Sequence, residues 1–290
     1  MRAGDFDVVN VVGIWEAVPF DGPRPTVSVV IPAMNEARNL PHVAARMPFD
    51  VDEIVFVDGN SVDDTAEVAR TLWPDATHLV QTRRGKGNAL ACGFRAATGD
   101  IIVMIDADGS TDPMEIPRYV EALVSGADYA KGSRFISGGG SADITRFRRL
   151  GNWGLNALVN VVFGTRYTDL CYGYNAFWRH CLDRMLLPDV ALVEPQWGDG
   201  FEIETMINVR VAVSELVIAE VCSFEASRIF GESNLNAIRD GMRVLRTIKR
   251  EFLGVRLPEA ESHEDEVSAT VTSIAGPRVL VDDVVAERAS

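Results

Sequence analysis

Four short β-prone blocks, at residues 27–31, 54–57, 77–80 and 101–105, alternate with stretches of helical pattern along the first part of the 290-residue chain. Strict alternation of strand and helix leaves few ways to pack, and the favoured one is a parallel sheet wound by helical crossovers. The fourth block reads as a central strand. Ile101, Ile102, Val103, Met104 and Ile105 show no polar alternation, which suits a parallel strand covered on both faces. The run stops at Asp106 and Asp108. In open α/β sheets ligands sit beyond the carboxyl ends of the strands, so both carboxylates are delivered to the place where a substrate binds. Residues i and i+2 on an extended or turning backbone can point to one side, and two hard oxygen ligands could then meet one divalent cation and the diphosphate it carries. Asp-Gly is also an ordinary turn dipeptide, so the pair alone leaves a metal site and a plain loop both open.

The punctuation between the blocks supports the same alternation. Pro32 ends the first strand, and Asn35 and Glu36 open a helix that runs to Arg46. Asp58-Gly59 closes the second strand, and Ser61 with Asp64 gives a capping-box-like start to a helix through Leu72. Gly85-Lys86-Gly87 leads into a helix at 88–97, closed by Gly99. The second half is less regular: helix 115–125, strand 128–134, a Gly-rich stretch at 137–141 that reads as a mobile loop, helix 146–164, strand 172–178, helix 200–211, strand 216–224 and a long amphipathic helix 236–253. Residues 1–25 read as an irregular lead-in. Residues 255–290 read as an acidic, flexible tail in which 279–281 could dock as a short strand.

Composition narrows the class. A hydrophobic fraction of 47% is ample for a large core, and a net charge of −14 argues against a general nucleic-acid binder. Cys92, Cys171, Cys181 and Cys222 show neither metal-ligand spacing nor the density of a disulfide scaffold, as expected in a reducing cytosol. The start of the chain lacks the basic-then-apolar pattern of a secretion signal, and no run approaches the roughly 18 apolar residues of a membrane span. The expectation is a cytoplasmic chain.

Several strand ends carry polar groups suited to one nucleotide: Asn35 and Glu36 after the first, Asp58 after the second, Arg84 and Lys86 before the third helix, Asp106 and Asp108 after the fourth. A carboxylate such as Asp58 can accept from a base or ribose, and Lys86 near a helix N-terminus offers charge to a phosphate. Taken with their neighbours, Val29 to Glu36, Val57 to Thr65, Arg84 to Ala89 and Asp106-Ala107-Asp108, these residues resemble the family 2 glycosyltransferases. Within that family they are most similar to the dolichol-phosphate mannose synthase and polyprenyl-phosphate glycosyltransferase branch. The resemblance implies a GT-A fold, a Rossmann-like, mostly parallel sheet flanked by helices, in one domain over 26–254. It implies a nucleotide-diphosphate sugar as donor, a UDP- or GDP-sugar, and a Mg2+ or Mn2+ ion bridging Asp106, Asp108 and the diphosphate. Pro32, Ala33, Asn35, Glu36, Asp58, Lys86, Asp106, Ala107 and Asp108 would then form the donor site, in a nucleotide-sugar half at 26–134. Two departures stand out: Asn60-Ser61-Val62 occupies the place of the family's Gly-Ser-Thr type turn, and no transmembrane helices follow the catalytic domain.

The acceptor half, 135–254, resembles the branch more thinly. Lys131-Gly132-Ser133-Arg134 resembles its Gly-Ser-Arg element, and Arg228 with Gly231-Glu232-Ser233-Asn234-Leu235 resembles its Arg followed by Gly-x-Ser-Lys-Leu. Asn234 replaces the usual lysine. Arg134 and Arg228, with Ser233 and Asn234, would hold an acceptor phosphate such as that of a polyprenyl phosphate. Such an acceptor is already ionised and needs no general base, whereas a hydroxyl on a sugar, small acid or secondary metabolite needs one of Asp169, Asp199, Glu202 or Glu204. Glu202 and Glu204 lie at i and i+2 of a helix, so at most one should reach the site. Nucleotidyl transfer ranks lower, because Pro32 to Glu36 stands where those enzymes usually carry a Gly-rich signature.

The second half also suggests a surface. Ile238, Met242, Leu245, Ile248 and Phe252 fall near one helical stripe, with Arg239, Arg243, Arg246, Lys249 and Arg250 around it. Arg146, Arg148 and Arg149 lead into a second apolar segment with Trp153, Leu155, Leu158, Val162 and Phe163. These patterns predict peripheral contact with an anionic membrane at its inner face. The bland alternative is a core stripe with solvated arginines.

Overall fold

The computed structural model describes residues 23–231 and 237–254. Most of the lead-in, Ser233, Asn234 and the tail with its 279–281 segment lie outside the described residues. The alternation read from the first half is present: β1 (Val27–Ala33), α1 (Leu40–Ala44), β2 (Glu53–Asp58), α2 (Thr65–Leu72), β3 (Thr77–Val80), α3 (Lys86–Ala96) and β4 (Ile101–Met104). The second half continues with α4 (Ile116–Val124), β5 (Tyr129–Ser133), β6 (Gly140–Ser141), α5 (Arg146–Phe163), β7 (Asn175–Trp178), α6 (Leu182–Met185), α7 (Glu202–Val213), β8 (Ile218–Cys222), β9 (Phe224–Glu225) and α8 (Ala237–Gly254).

Among the described residues the main sheet has the order β3-β2-β1-β4-β7-β5-β8. Its strands pair in parallel except β7, which runs antiparallel to both β4 and β5. That reversal matters for the site. Residues entering β7 arrive at the same edge as residues leaving β4 and β5, because Asn175 pairs with both Met104 and Lys131.

Side chains alternate across the sheet into two cores. Val27, Val29 and Ile31 pack with Leu40, Val43, Ala69, Tyr119 and Leu123 beneath α1, α2 and α4. Val30, Val57 and Ile102 pack with Leu90, Phe94, Ile203 and Met206 beneath α3 and α7. Each such large side chain, withdrawn from water, contributes about 1.5–3 kcal/mol. A third cluster joins α5, α7 and α8 through Val159, Val209 and Ile248.

Four local expectations are corrected. β1 continues through Pro32 to Ala33, which costs no ladder bond to β4 because that pairing ends at Val30 opposite Met104. The first helix is shorter than 35–46: Asn35 is left-handed at φ 60°, and its side chain accepts from Val62 N at 2.8 Å. Asp64 makes no side-chain cap to α2; Asp63 does the tethering, accepting from Thr65 N at 3.1 Å and Ala37 N at 3.3 Å. The Gly-rich stretch is pinned, with β6 paired in parallel to β9 and Gly140 N donating to Ser223 O at 3.1 Å.

Candidate active site

The carboxyl edge of the sheet gathers two ion-pair systems. In the first, Lys86 from the start of α3 lies with Nζ 2.6 Å from Asp106 Oδ1 and 2.7 Å from Glu204 Oε1 on α7. Burial disfavours the Lys86 charge, but the two carboxylates outweigh it and hold the ammonium charged beyond the usual lysine range. In the second, Arg228 lies 2.6 Å from Glu36 Oε1 and 2.9 Å from Asp108 Oδ2. Burial opposes the Arg228 charge too, and Asp108 and Glu36 prevail. Glu36 itself is pushed up from 4.5, since burial exceeds the help it receives from Asn39 and Arg228.

The backbone around these pairs explains why they meet. Gly87 packs so closely under the 198–200 turn that a Cβ there would run into Gly198 O. Asn88 N donates to Asp199 O at 3.1 Å, which fixes the start of α3 against the start of α7 and sets Lys86 opposite Glu204. The segment after β9 folds back over the Asp106–Asp108 loop. Ala226 N donates to Ser110 O at 2.8 Å, Ile229 N donates to Asp108 O at 3.3 Å, and the Asn39 amide grips Phe230 N and O at 3.0 and 3.1 Å. Arg228 is thereby strapped across the second aspartate.

The remaining predicted donor residues take mixed places. Asp58 ends β2 beside Ala33, is 8% exposed, and accepts from Ser61 N at 3.2 Å. Pro32 and Ala33 end β1 at the same edge, and Ala107 is buried between the two aspartates. Asn35 serves the loop, bonding 61–62 rather than facing the ion pairs.

The expected acceptor residues are engaged within the protein. Arg134 Nε lies 2.7 Å and its Nη2 2.9 Å from Asp169, its Nη1 lies 2.9 Å from Glu225, and its side chain is 3% exposed. Asp169, the corresponding base candidate, is 0% exposed and also accepts from Arg134 N and Asn152. Asp199 is held by Arg83 through two contacts of 2.8 Å. Glu202 accepts from Gly198 N at 3.1 Å and Gly200 N at 3.2 Å and faces Arg243 at 3.3 Å, so the carboxylate of α7 that reaches the site is Glu204. Ser233 and Asn234 lie outside the described residues.

Comparison with known proteins gives this edge a family. The model of glycosyl transferase family 2 matches residues 28–186, which is more than half of the chain. The chain belongs to glycosyl transferase family 2. It is a glycosyltransferase, built on a GT-A-like α/β fold. It is similar to an undecaprenyl-phosphate mannosyltransferase of Micrococcus luteus, 31% identical over 219 residues, which are 72% of this chain and 87% of that one. It is similar also to a polyprenol monophosphomannose synthase of Mycolicibacterium smegmatis, 30% identical over 233 residues, 76% of this chain and 86% of that one. Among solved structures, glucosyl-3-phosphoglycerate synthase of Mycobacterium tuberculosis, in complex with Mn2+, UDP-glucose and phosphoglyceric acid, superposes with TM-score 0.61 at 24% identity, covering 81% of this chain and 82% of that one. At that identity the likeness speaks for the fold.

Some residues that organise this glycosyltransferase site escaped sequence reading. Arg83 ties β3 to the 189–199 loop, donating to Asp189 O at 2.8 Å and Leu192 O at 2.6 Å besides Asp199. Nothing in its spacing distinguishes it from Arg84, which is exposed. Asn152, Asn156 and Asn160 did carry a signal, a four-residue spacing on one helix face, and all three bond the 165–170 loop.

Proposed function

We propose that the protein moves a sugar, with inversion, from a UDP- or GDP-sugar to a phosphate-bearing acceptor such as polyprenyl phosphate, using Mg2+ or Mn2+ held by Asp106 and Asp108. The observation that carries this reading is the pairing of each aspartate with one cation, Lys86 and Arg228, at a single sheet edge. Two carboxylates and two cations suit a site that takes up phosphate groups together with a metal. Among the described residues no three His, Cys, Asp or Glu gather as a self-sufficient metal cage. Two carboxylates fit a metal that keeps phosphate oxygens in its shell, as Mg2+ commonly does. When bound, the ion would neutralise charge on the departing diphosphate.

The chain's own groups then have defined tasks. Lys86 offers its charge to the donor diphosphate, Glu204 keeps that ammonium aimed at Asp106, and Arg228 offers its guanidinium to the acceptor phosphate. An acceptor phosphate oxygen bonds to the anomeric carbon as the bond from that carbon to the diphosphate breaks. The diphosphate leaves with the electron pair, and no proton moves. The engaged state of Asp169, Asp199 and Glu202, each taken up by basic or backbone partners, supports an acceptor that needs no general base. The names of the two mannosyl-transferring relatives support a polyprenyl phosphate.

The test is acceptor-dependent release of nucleoside diphosphate from a panel of UDP- and GDP-sugars with Mn2+ or Mg2+, using short-chain polyprenyl phosphate in detergent beside soluble hydroxyl acceptors. Transfer to the lipid phosphate is expected. Transfer confined to hydroxyl acceptors, or release of pyrophosphate, overturns the reading.

A further inference from the structure

α5 turns an unusual pair of faces to protein and solvent. Three asparagines share its inward face with Val159, and Leu155 and Phe163 pack partly against the same core. Asn152 donates to Asp169 Oδ1 at 3.0 Å, Asn156 accepts from Leu170 N at 2.7 Å, and Asn160 both donates to Tyr167 O and accepts from Tyr167 N at 2.8 Å. Its outward face is apolar: Phe147, Leu150, Trp153 and Val161 are 65%, 66%, 69% and 84% exposed. A helix on water normally keeps polar side chains on its outward face, and an exposed apolar patch of this kind marks a contact surface. The patch continues onto α8. Ile248 of the predicted stripe goes into the core with Val159, but Phe252 meets the ring of Phe163 at 6.4 Å and remains 65% exposed, with Leu253 at 70% beside it.

Charge tells what the patch meets. α5 carries Arg146, Arg148 and Arg149 and no acidic residue. α8 carries two acids, Asp240 and Glu251, both buried and both ion-paired, while Arg239, Arg246, Lys249 and Arg250 are exposed. A chain of net charge −14 thus presents exposed cations around exposed aromatics on these two helices. A second copy of the same surface would bring arginine against arginine. Among the described residues no helix is long and apolar enough to cross a membrane, so contact would be lateral. We infer that the outward face of α5, with the exposed end of α8, settles the protein onto an anionic lipid bilayer. Trp153 and Phe147 enter the acyl boundary and the flanking arginines lie at the headgroups.

The inference stands on these helix faces and not on the acceptor, so it is tested without substrate. Full-length protein is sedimented with vesicles of phosphatidylglycerol and phosphatidylethanolamine, with pure phosphatidylcholine vesicles as the comparison, at low and high salt. Binding to the anionic vesicles alone is expected, with a blue shift of Trp153 fluorescence that Trp153→Phe removes. Each exposed basic residue should add roughly five-fold to the partition at low salt, and high salt should abolish that gain. Phe147→Ser with Leu150→Ser, both at exposed positions, should lower the partition by more than tenfold with unchanged thermal unfolding. Wild-type protein left in the supernatant at low salt, or the double variant sedimenting like wild type, overturns the inference. So does a lipid-free dimer by analytical ultracentrifugation that the double variant dissociates, because it gives the face to a second copy. Transfer to a short-chain acceptor in detergent, measured on the same variants, should be unchanged; its loss in wild type would bear on the proposed reaction and leave the vesicle result standing.

Discussion

Arg228 holds Asp108 at 2.9 Å, and Ile229 N, one residue on, donates to the carbonyl of the same aspartate at 3.3 Å. The strap after β9 is therefore fastened to the Asp-x-Asp loop by side chain and backbone together. Asp108→Ala should leave a folded protein whose transfer falls at least about a hundredfold, because a preorganised charge is lost and core packing is not. Thermal unfolding beside a rate assay checks this. The variant should also cleave faster in limited proteolysis near 226–231.

Lys86→Met should do two things at once. It should raise the donor KM more than it lowers kcat, since a group gripping the diphosphate acts alike in ground and transition states. It should also lower stability by about 3 kcal/mol, because Asp106 and Glu204 lose the cation between them. Chemical denaturation should recover part of that loss in the double variant Lys86→Met with Glu204→Gln.

Arg134 and Arg228 should behave differently although both were expected at the acceptor. Arg134→Ala strands Asp169 in the interior and should cost about 3–5 kcal/mol, visible as a large drop in Tm. Arg228→Ala, on a partly exposed strap, should unfold near the wild-type temperature and lose mainly acceptor affinity.

Glu115 sets a pH dependence. Burial raises its carboxyl above 4.5 in spite of Ser223 Oγ and the Phe224 N–H at 3.2 Å. A folded-state value above the unfolded one gives stability that is complete at low pH and fades as pH rises through the folded value. Glu115→Gln should therefore gain on wild type as pH climbs from about 4.5, at a slope of at most about 1.4 kcal/mol for each pH unit, and the gain should level off once the folded carboxyl has ionised. Paired melts across pH 4–8 measure the difference. A constant offset between the two proteins would remove the buried carboxyl from the explanation.

Asn156 closes two backbone groups of the 165–170 loop, Leu170 N and Thr168 O. Asn156→Leu should cost about 1–3 kcal/mol for each group left unpaired. Faster amide exchange at Leu170 is the local readout.

The first half was legible because its signals are local. Apolar blocks, Asp-Gly stops and the Gly85-Lys86-Gly87 entry each act within a few residues, and they place Lys86 and Asp106 at one edge. What escaped reading depends on partners distant in sequence. A Gly-Ser-Arg looks the same whether its arginine faces a phosphate or, as Arg134 does, a buried Asp169. The choice between Glu202 and Glu204, two residues apart on one helix, hangs on the helix's register, set by the 198–200 turn closing on Gly87. The α5 segment was ambiguous for another reason: hydropathy marks the apolar side chains of a helix without saying which of them face the core, and here Leu155 and Phe163 pack partly inward while Trp153 faces out.

The strap over Asp108 bears on the kinetic order of the reaction. While Arg228 is engaged by Glu36 and Asp108, its charge is neutralised and has little left for an incoming acceptor phosphate. If Asp108 were taken up by the divalent cation that accompanies the donor, one of those pairs would be broken and the guanidinium freed toward the acceptor. On the proposed roles, donor binds first and acceptor second, with the nucleotide leaving last. Initial-rate patterns should then show nucleoside diphosphate competing with the donor, and acceptor affinity in equilibrium titrations should appear only once donor or its diphosphate is present. Acceptor binding of equal strength to the free enzyme would mean that the strap opens unaided.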